Sequence, residues 1–107
     1  MASKRSVSYE AGLVERLKDP DYAATYLNAH LADSSDGETA EEFLTALRDV
    51  ATAQGIGGVA KKAKLGRESL YKMLSKTGNP KLSTLAVVLK TLGLQLVVEA
   101  RPKKKRA

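Results

Sequence analysis

Residues 56–75 read IGGVAKKAKLGRESLYKMLS. Val59 and Ala63 are apolar one turn apart, and Leu70 and Met73 repeat that spacing after a gap. The pattern predicts two short helices, each burying one side, with a break of about three residues between them. Such a break sets the pair nearly perpendicular, the helix-turn-helix layout in which the second helix enters a DNA major groove. Ala60 is small where the helices must touch, and Leu65 adds an apolar anchor in the turn. The ninth position of this layout usually holds Gly, because the chain there often needs φ > 0; with another residue, either the turn differs or that residue carries modest strain. Here it is Lys64, with Gly66 two residues later. Left exposed on the second helix are Arg67, Glu68, Ser69, Tyr71 and Lys72. The plainer alternative is two amphipathic helices in an ordinary bundle.

Upstream, the chain divides into helical segments. Tyr9, Leu13, Val14 and Leu17 share one face, and Lys18 ends that helix. Asp19-Pro20 follows as an N-cap and first-turn proline. The next helix carries Tyr22, Tyr26, Leu27, His30 and Leu31, and stops near Ala32 before the loop composition DSSDG at 33–37. Thr39 and Glu42 have capping-box spacing, with Thr39 expected as N-cap. That helix turns Phe43, Leu44, Leu47, Val50 and Ala51 inward and ends at Gly55 as a left-handed stop. Gly57-Gly58 then opens the first helix of the pair, where backbone N–H groups can meet phosphate.

Downstream, Thr77-Gly78-Asn79-Pro80 is a turn. A helix over residues 81–92 points Leu82, Leu85, Val88, Leu89 and Leu92 inward and stops at Gly93. The period then changes to two: Leu94, Leu96 and Val98 alternate with their neighbours, as in a half-buried strand. A single strand leaves backbone groups unpaired, so its mate is expected in a second copy of the chain, about a two-fold axis. The other possibilities are an edge packed on the helices or an extended tail. Residues 101–107, RPKKKRA, are a basic tail, suited equally to trailing along phosphates and to serving as a solubilising end.

The net charge of +6 is unevenly spread. Residues 10–50 hold ten acids against three bases, a net of −7, while residues 51–107 hold thirteen bases against two acids, a net of +11. One part suits phosphate and the other a basic partner. With no cysteine and one histidine, neither a disulfide nor a Cys- or His-rich metal site is expected. Neither a Gly-rich phosphate loop nor a nucleophile–base pair occurs, so an enzyme and a cofactor are not expected. With one Phe and no Trp, aromatic platforms for single-stranded RNA are few. No apolar run is long enough for a membrane span, and the N-terminus lacks an apolar signal segment; a cytoplasmic protein is expected.

Several spaced motifs together carry a family resemblance: KDPDYA at 18–23, YLNA at 26–29, ALRDVA at 46–51, RESLYK at 67–72, GNP at 78–80, LSTL at 82–85 and LGL at 92–94. Over residues 9–99 the chain resembles the addiction-module antidote proteins, which are similar to HigA-type antitoxins with a Cro/C1-like helix-turn-helix. The resemblance implies an all-α, lambda-repressor-like domain of five to six helices with one C-terminal strand paired across a dimer. It also implies a bacterial antitoxin that binds a RelE/ParE-like toxin and represses its own operon. Relatives usually carry a capping hydroxyl where this chain has Gly57-Gly58.

The expected organisation is an arm over 1–8, a partner-binding helical extension over 9–36, a DNA-binding domain over 37–100 and the tail. Expected DNA contacts are Arg67, Glu68, Ser69, Tyr71 and Lys72, flanked by Lys61, Lys62, Lys64 and Lys76. Arg67 has the fork to take guanine O6 and N7 in double-stranded operator DNA. Toxins of the RelE type are basic by the same resemblance; Tyr22 and Tyr26, one turn apart on the acidic part, are expected to pack with their hydroxyls in water, with anchoring a toxin as the alternative role. Leu94, Leu96 and Val98 are the expected dimer residues. A free-standing repressor without a toxin is the other functional class; a small basic reading frame directly upstream would separate the two.

Overall fold

The computed structural model describes residues 12–32 and 38–100. The arm, Tyr9, the 33–37 loop and the tail lie outside the described residues. Among the described residues the chain is all-α, with six helices: α1 over residues 12–17, α2 Pro20–Ala32, α3 Glu38–Gln54, α4 Ile56–Ala63, α5 Arg67–Met73 and α6 Leu82–Thr91. α2 packs along α3, α3 meets α4, and α4 carries both α5 and α6. The shared core is aliphatic: Leu17, Leu27, Leu47, Val50, Leu70, Leu74, Val88 and Leu92 are all buried, as are Ala23, Ala46 and Ala51. Small residues on α2 and α3 let these two helices approach closely.

Local signals account for most boundaries. The Asp21 N–H donates to Asp19 Oδ1 at 3.4 Å, and the Ala23 N–H to the Asp19 carbonyl at 2.9 Å, so Asp19 caps α2 with Pro20 in its first turn. Gly55, at φ 101°, separates α3 from α4. α6 ends in a Schellman motif: Leu94 N–H reaches the Leu89 carbonyl at 2.8 Å around Gly93, whose φ is 85°. A Cβ on Gly93 would also press on Pro20 Cγ at 3.3 Å, tying the end of α6 to the start of α2.

Three expectations are corrected. α3 begins at Glu38, which puts Thr39 inside the first turn rather than at the cap; helix ends shift easily by a residue. Leu82 is 69% exposed, because as the first residue of α6 it precedes the stretch that crosses the core. No strand forms at residues 94–98, because no other described segment lies alongside to complete a ladder; a strand requires a partner.

Lys64 is the one described non-glycine residue with positive φ, at φ 59° and ψ 44°. It ends α4 in a Schellman motif: Lys64 N–H bonds the Lys61 carbonyl at 3.1 Å, and Leu65 N–H bonds that of Ala60 at 2.9 Å. The left-handed conformation costs an L-residue about 1–2 kcal/mol, and glycine gives back about 0.5–1 kcal/mol through its freer unfolded chain. Lys64→Gly is therefore expected to stabilise by about 0.5–1 kcal/mol. Thermal unfolding checks this; an unchanged or lower Tm would show that the conformation carries no strain here.

Candidate nucleic-acid interface

A seven-residue helix has almost no stability of its own in water. α5 exists because Leu70 and, just beyond it, Leu74 are fully buried, with Met73 and Tyr71 half-buried on either side. The turn at residues 64–66 fixes where it starts: Leu70 N–H bonds the Gly66 carbonyl at 2.9 Å, with Gly66 as N-cap. The turn over residues 75–78 fixes where it stops. Ser75 Oγ donates to the Lys72 carbonyl at 2.7 Å, and Gly78 N–H to the Ser75 carbonyl at 2.9 Å. Two buried positions on one side leave Arg67, Glu68, Ser69 and Lys72 in solvent. α5 is thus covered on one side only, and is separated from α4 by Lys64, Leu65 and Gly66.

The basic residues expected around it are all exposed. Lys61 and Lys62 lie on the last turn of α4, Lys64 is in the turn, and Lys76 follows α5. Among the described residues none of these four pairs with a carboxylate; the ion pair present, Lys18 to Glu15 at 3.4 Å, lies at the end of α1. Lys61 and Lys62 sit at the negative end of the α4 dipole, which favours their charge. Gly57 and Gly58 are exposed in the first turn of α4, with open space beside them.

Tyr71 is less free than the sequence suggests. It is half-buried, and the Arg48 guanidinium lies over its ring, 5.1 Å from the centroid. Arg48 belongs to α3 and was not among the expected contacts. The sequence did hold a signal: Arg48 is the one Lys or Arg between residues 19 and 60.

A second surface lies on α2 and α3. The Tyr26 hydroxyl donates to Asp49 Oδ2 at 2.9 Å, and His30 Nδ1–H donates to the Tyr26 carbonyl at 2.8 Å. The two rings meet edge-on at 4.8 Å. A cleft of about 550 Å³ opens there, lined by His30, Glu41, Glu42, Asp49 and, from beyond α5, Lys76. Tyr22 is half-buried, with Arg16 over its ring at 5.5 Å. Both tyrosines therefore serve packing within the chain. A third surface, a groove of about 460 Å³, runs between α2, Phe43 and the C-terminal segment, and is lined by Leu27, Leu31, Leu94, Leu96 and Val97. No helix among the described residues is long and apolar enough to cross a membrane, and no cluster of metal-ligating side chains occurs among them.

A family model described as "Probable addiction module antidote protein" matches residues 8–100. The chain belongs to that family. The antidote-family match runs from α1 through the C-terminal segment, so the acidic helices and the α4–α5 pair are both part of it. An uncharacterized protein of Haemophilus influenzae is 38% identical over 96 aligned positions, covering 81% of this chain and 95% of the relative. No solved structure matches the chain. Membership of an antidote family implies a toxin partner in general.

Proposed function

We propose that this antidote-family chain is the antitoxin of a type II toxin–antitoxin module, acting in the bacterial cytoplasm as a sequence-specific repressor of its own operon. The observation that carries the DNA half is α5 itself: a short helix anchored by Leu70, with Arg67, Glu68, Ser69 and Lys72 in solvent and unpaired lysines on both sides. Lys61, Lys62, Lys64 and Lys76 supply an attraction to phosphate that weakens as salt rises. Arg67, at the start of the helix, reads guanine; Glu68 accepts from cytosine N4 or orients Arg67, and Lys72 reaches a base or a phosphate.

Arg67→Ala is expected to cost about 1–3 kcal/mol of affinity for the operon's upstream duplex and to relax one base position. A gel-shift series against that duplex and its point variants measures both. Affinity and sequence preference matching the unmodified chain would remove Arg67 from the role.

A dimer would present two copies of α5 to half-sites ~34 Å apart. The C-terminal segment supports it: Val98 is 98% exposed, Leu96 and Val97 are also in solvent, and the backbone from 94 to 100 has no ladder partner among the described residues. Pairing with its own copy satisfies that edge and covers Leu96 and Val98. Val98→Asp is expected to change the stability of the single chain by no more than ~0.5 kcal/mol while shifting the mass in solution to that of one chain. A mass equal to that of the unmodified chain would contradict the pairing.

The toxin half rests on family membership and on the acidic cleft of α2 and α3. A basic RelE/ParE-like toxin is attracted there, with Tyr22 and Tyr26 beneath the surface it would cover. Proteolysis of the complex tests this. Protection of residues 20–49 supports the assignment; protection confined to 57–76 contradicts it.

A further inference from the structure

We infer that Arg48, on α3 and outside the helix-turn-helix, is a backbone-phosphate contact that Tyr71 holds in position. The inference rests on the reading of α5 as the helix that lies against duplex DNA. Tyr71 follows Arg67 by four residues and so lies on the same side of α5. The Arg48 guanidinium lies over that ring, 5.1 Å from its centroid, which carries the positive edge of the interface across from α5 to α3. A side chain flanking a helix that fills a groove faces the sugar-phosphate ridge bounding it, rather than the bases.

The state of Arg48 fits that task. It is exposed, and among the described residues no carboxylate pairs with it. Its neighbour Asp49 is engaged elsewhere, accepting from the Tyr26 hydroxyl at 2.9 Å on the α2 side of α3. Held over a ring and paired with no carboxylate among the described residues, the Arg48 guanidinium has N–H donors to offer in the fork that suits phosphate oxygens. A cation in the otherwise acidic stretch of residues 19–60 that sits against α5 is explained by an anion outside the chain better than by stability inside it. Tyr71 becomes a positioning residue, which accounts for a half-buried aromatic on a helix face that is otherwise polar.

The experiment is a salt titration of affinity for the upstream duplex, using the full chain with Arg48→Gln, Arg48→Lys, Tyr71→Leu and Arg67→Ala. Arg48→Gln is expected to weaken binding about tenfold at low salt, equally for all duplex sequences, and to flatten the plot of log affinity against log salt by about 0.9. Arg48→Lys should keep the slope. Tyr71→Leu should lower affinity and flatten the slope by less than Arg48→Gln does, since it misplaces the charge without deleting it. A role confined to packing would change Tm and leave the slope alone. If Arg67→Ala shifts sequence preference while Arg48→Gln leaves affinity and slope unchanged, this inference falls and the DNA-binding reading stands. If the unmodified chain has no affinity for the duplex, both fall.

Discussion

Gly78→Ala is expected to be among the most damaging single substitutions in the chain. Gly78 folds back onto the end of α5 so closely that a Cβ would overlap the carbonyl oxygen of Met73, and would sit 3.0 Å from that of Lys72. Both neighbours are backbone atoms, so no side chain can swing aside. Ordinary overpacking costs about 1–3 kcal/mol, and a backbone overlap belongs at or above the top of that range. The loss of about 3 kcal/mol corresponds to a fall in Tm of roughly 12–24 °C for a domain of this size. The strain lands on the turn that ends α5, so the folded fraction should also lose operator affinity. Thermal unfolding followed by DNA titration below the new Tm measures the two effects separately. A Tm within a degree or two of the original would show that the turn yields easily, and that the close approach does not hold α5.

Leu70→Ala is the second. Leu70 is fully buried and is the α5 residue that enters the core, followed by Leu74 in the cap. Truncating a buried leucine costs about 2–5 kcal/mol, depending on how far the site collapses. Because α5 depends on this anchor, the loss should appear locally as well as globally, as faster amide exchange over residues 67–73. Leu70→Met keeps the volume and should cost less than about 1.5 kcal/mol. Equal losses from the two variants would mean that branched shape, rather than bulk, is what the core requires of this position.

Much of this architecture is legible in the sequence because several local signals agree. Asp19-Pro20, Gly55 and Gly93 each mark a boundary by backbone chemistry alone, and the structure has a boundary at each. Lys64 is more instructive. The sequence left two readings open there, a different turn or a strained Lys64, and Lys64 adopts the left-handed conformation at φ 59°. Tertiary geometry overrides the preference of the residue.

Other features could not be read from one chain. The alternation of Leu94, Leu96 and Val98 describes a face, but a strand exists only when another strand pairs with it. Leu82 fits the helical period of α6, yet period places a residue on a face and says nothing about where the core ends along the axis. The contact between Arg48 and Tyr71 joins residues 23 positions apart in sequence on different helices; the isolation of Arg48 among acidic residues marks it as unusual, but not as a neighbour of Tyr71. Gly78 was legible as a turn but not as a close approach, since its constraint comes from the carbonyls of Lys72 and Met73.

Everything proposed for DNA requires the uncovered side of α5 to be where the duplex lies. Amide hydrogen exchange of the full chain, with and without the upstream duplex at low salt, tests this most directly. The expected result is slowed exchange concentrated in residues 61–76, extending to the α3 turn that carries Arg48, with α6 unchanged. Slowed exchange confined to α2 and the N-terminal turns of α3, or no slowing anywhere at a saturating duplex concentration, would contradict it.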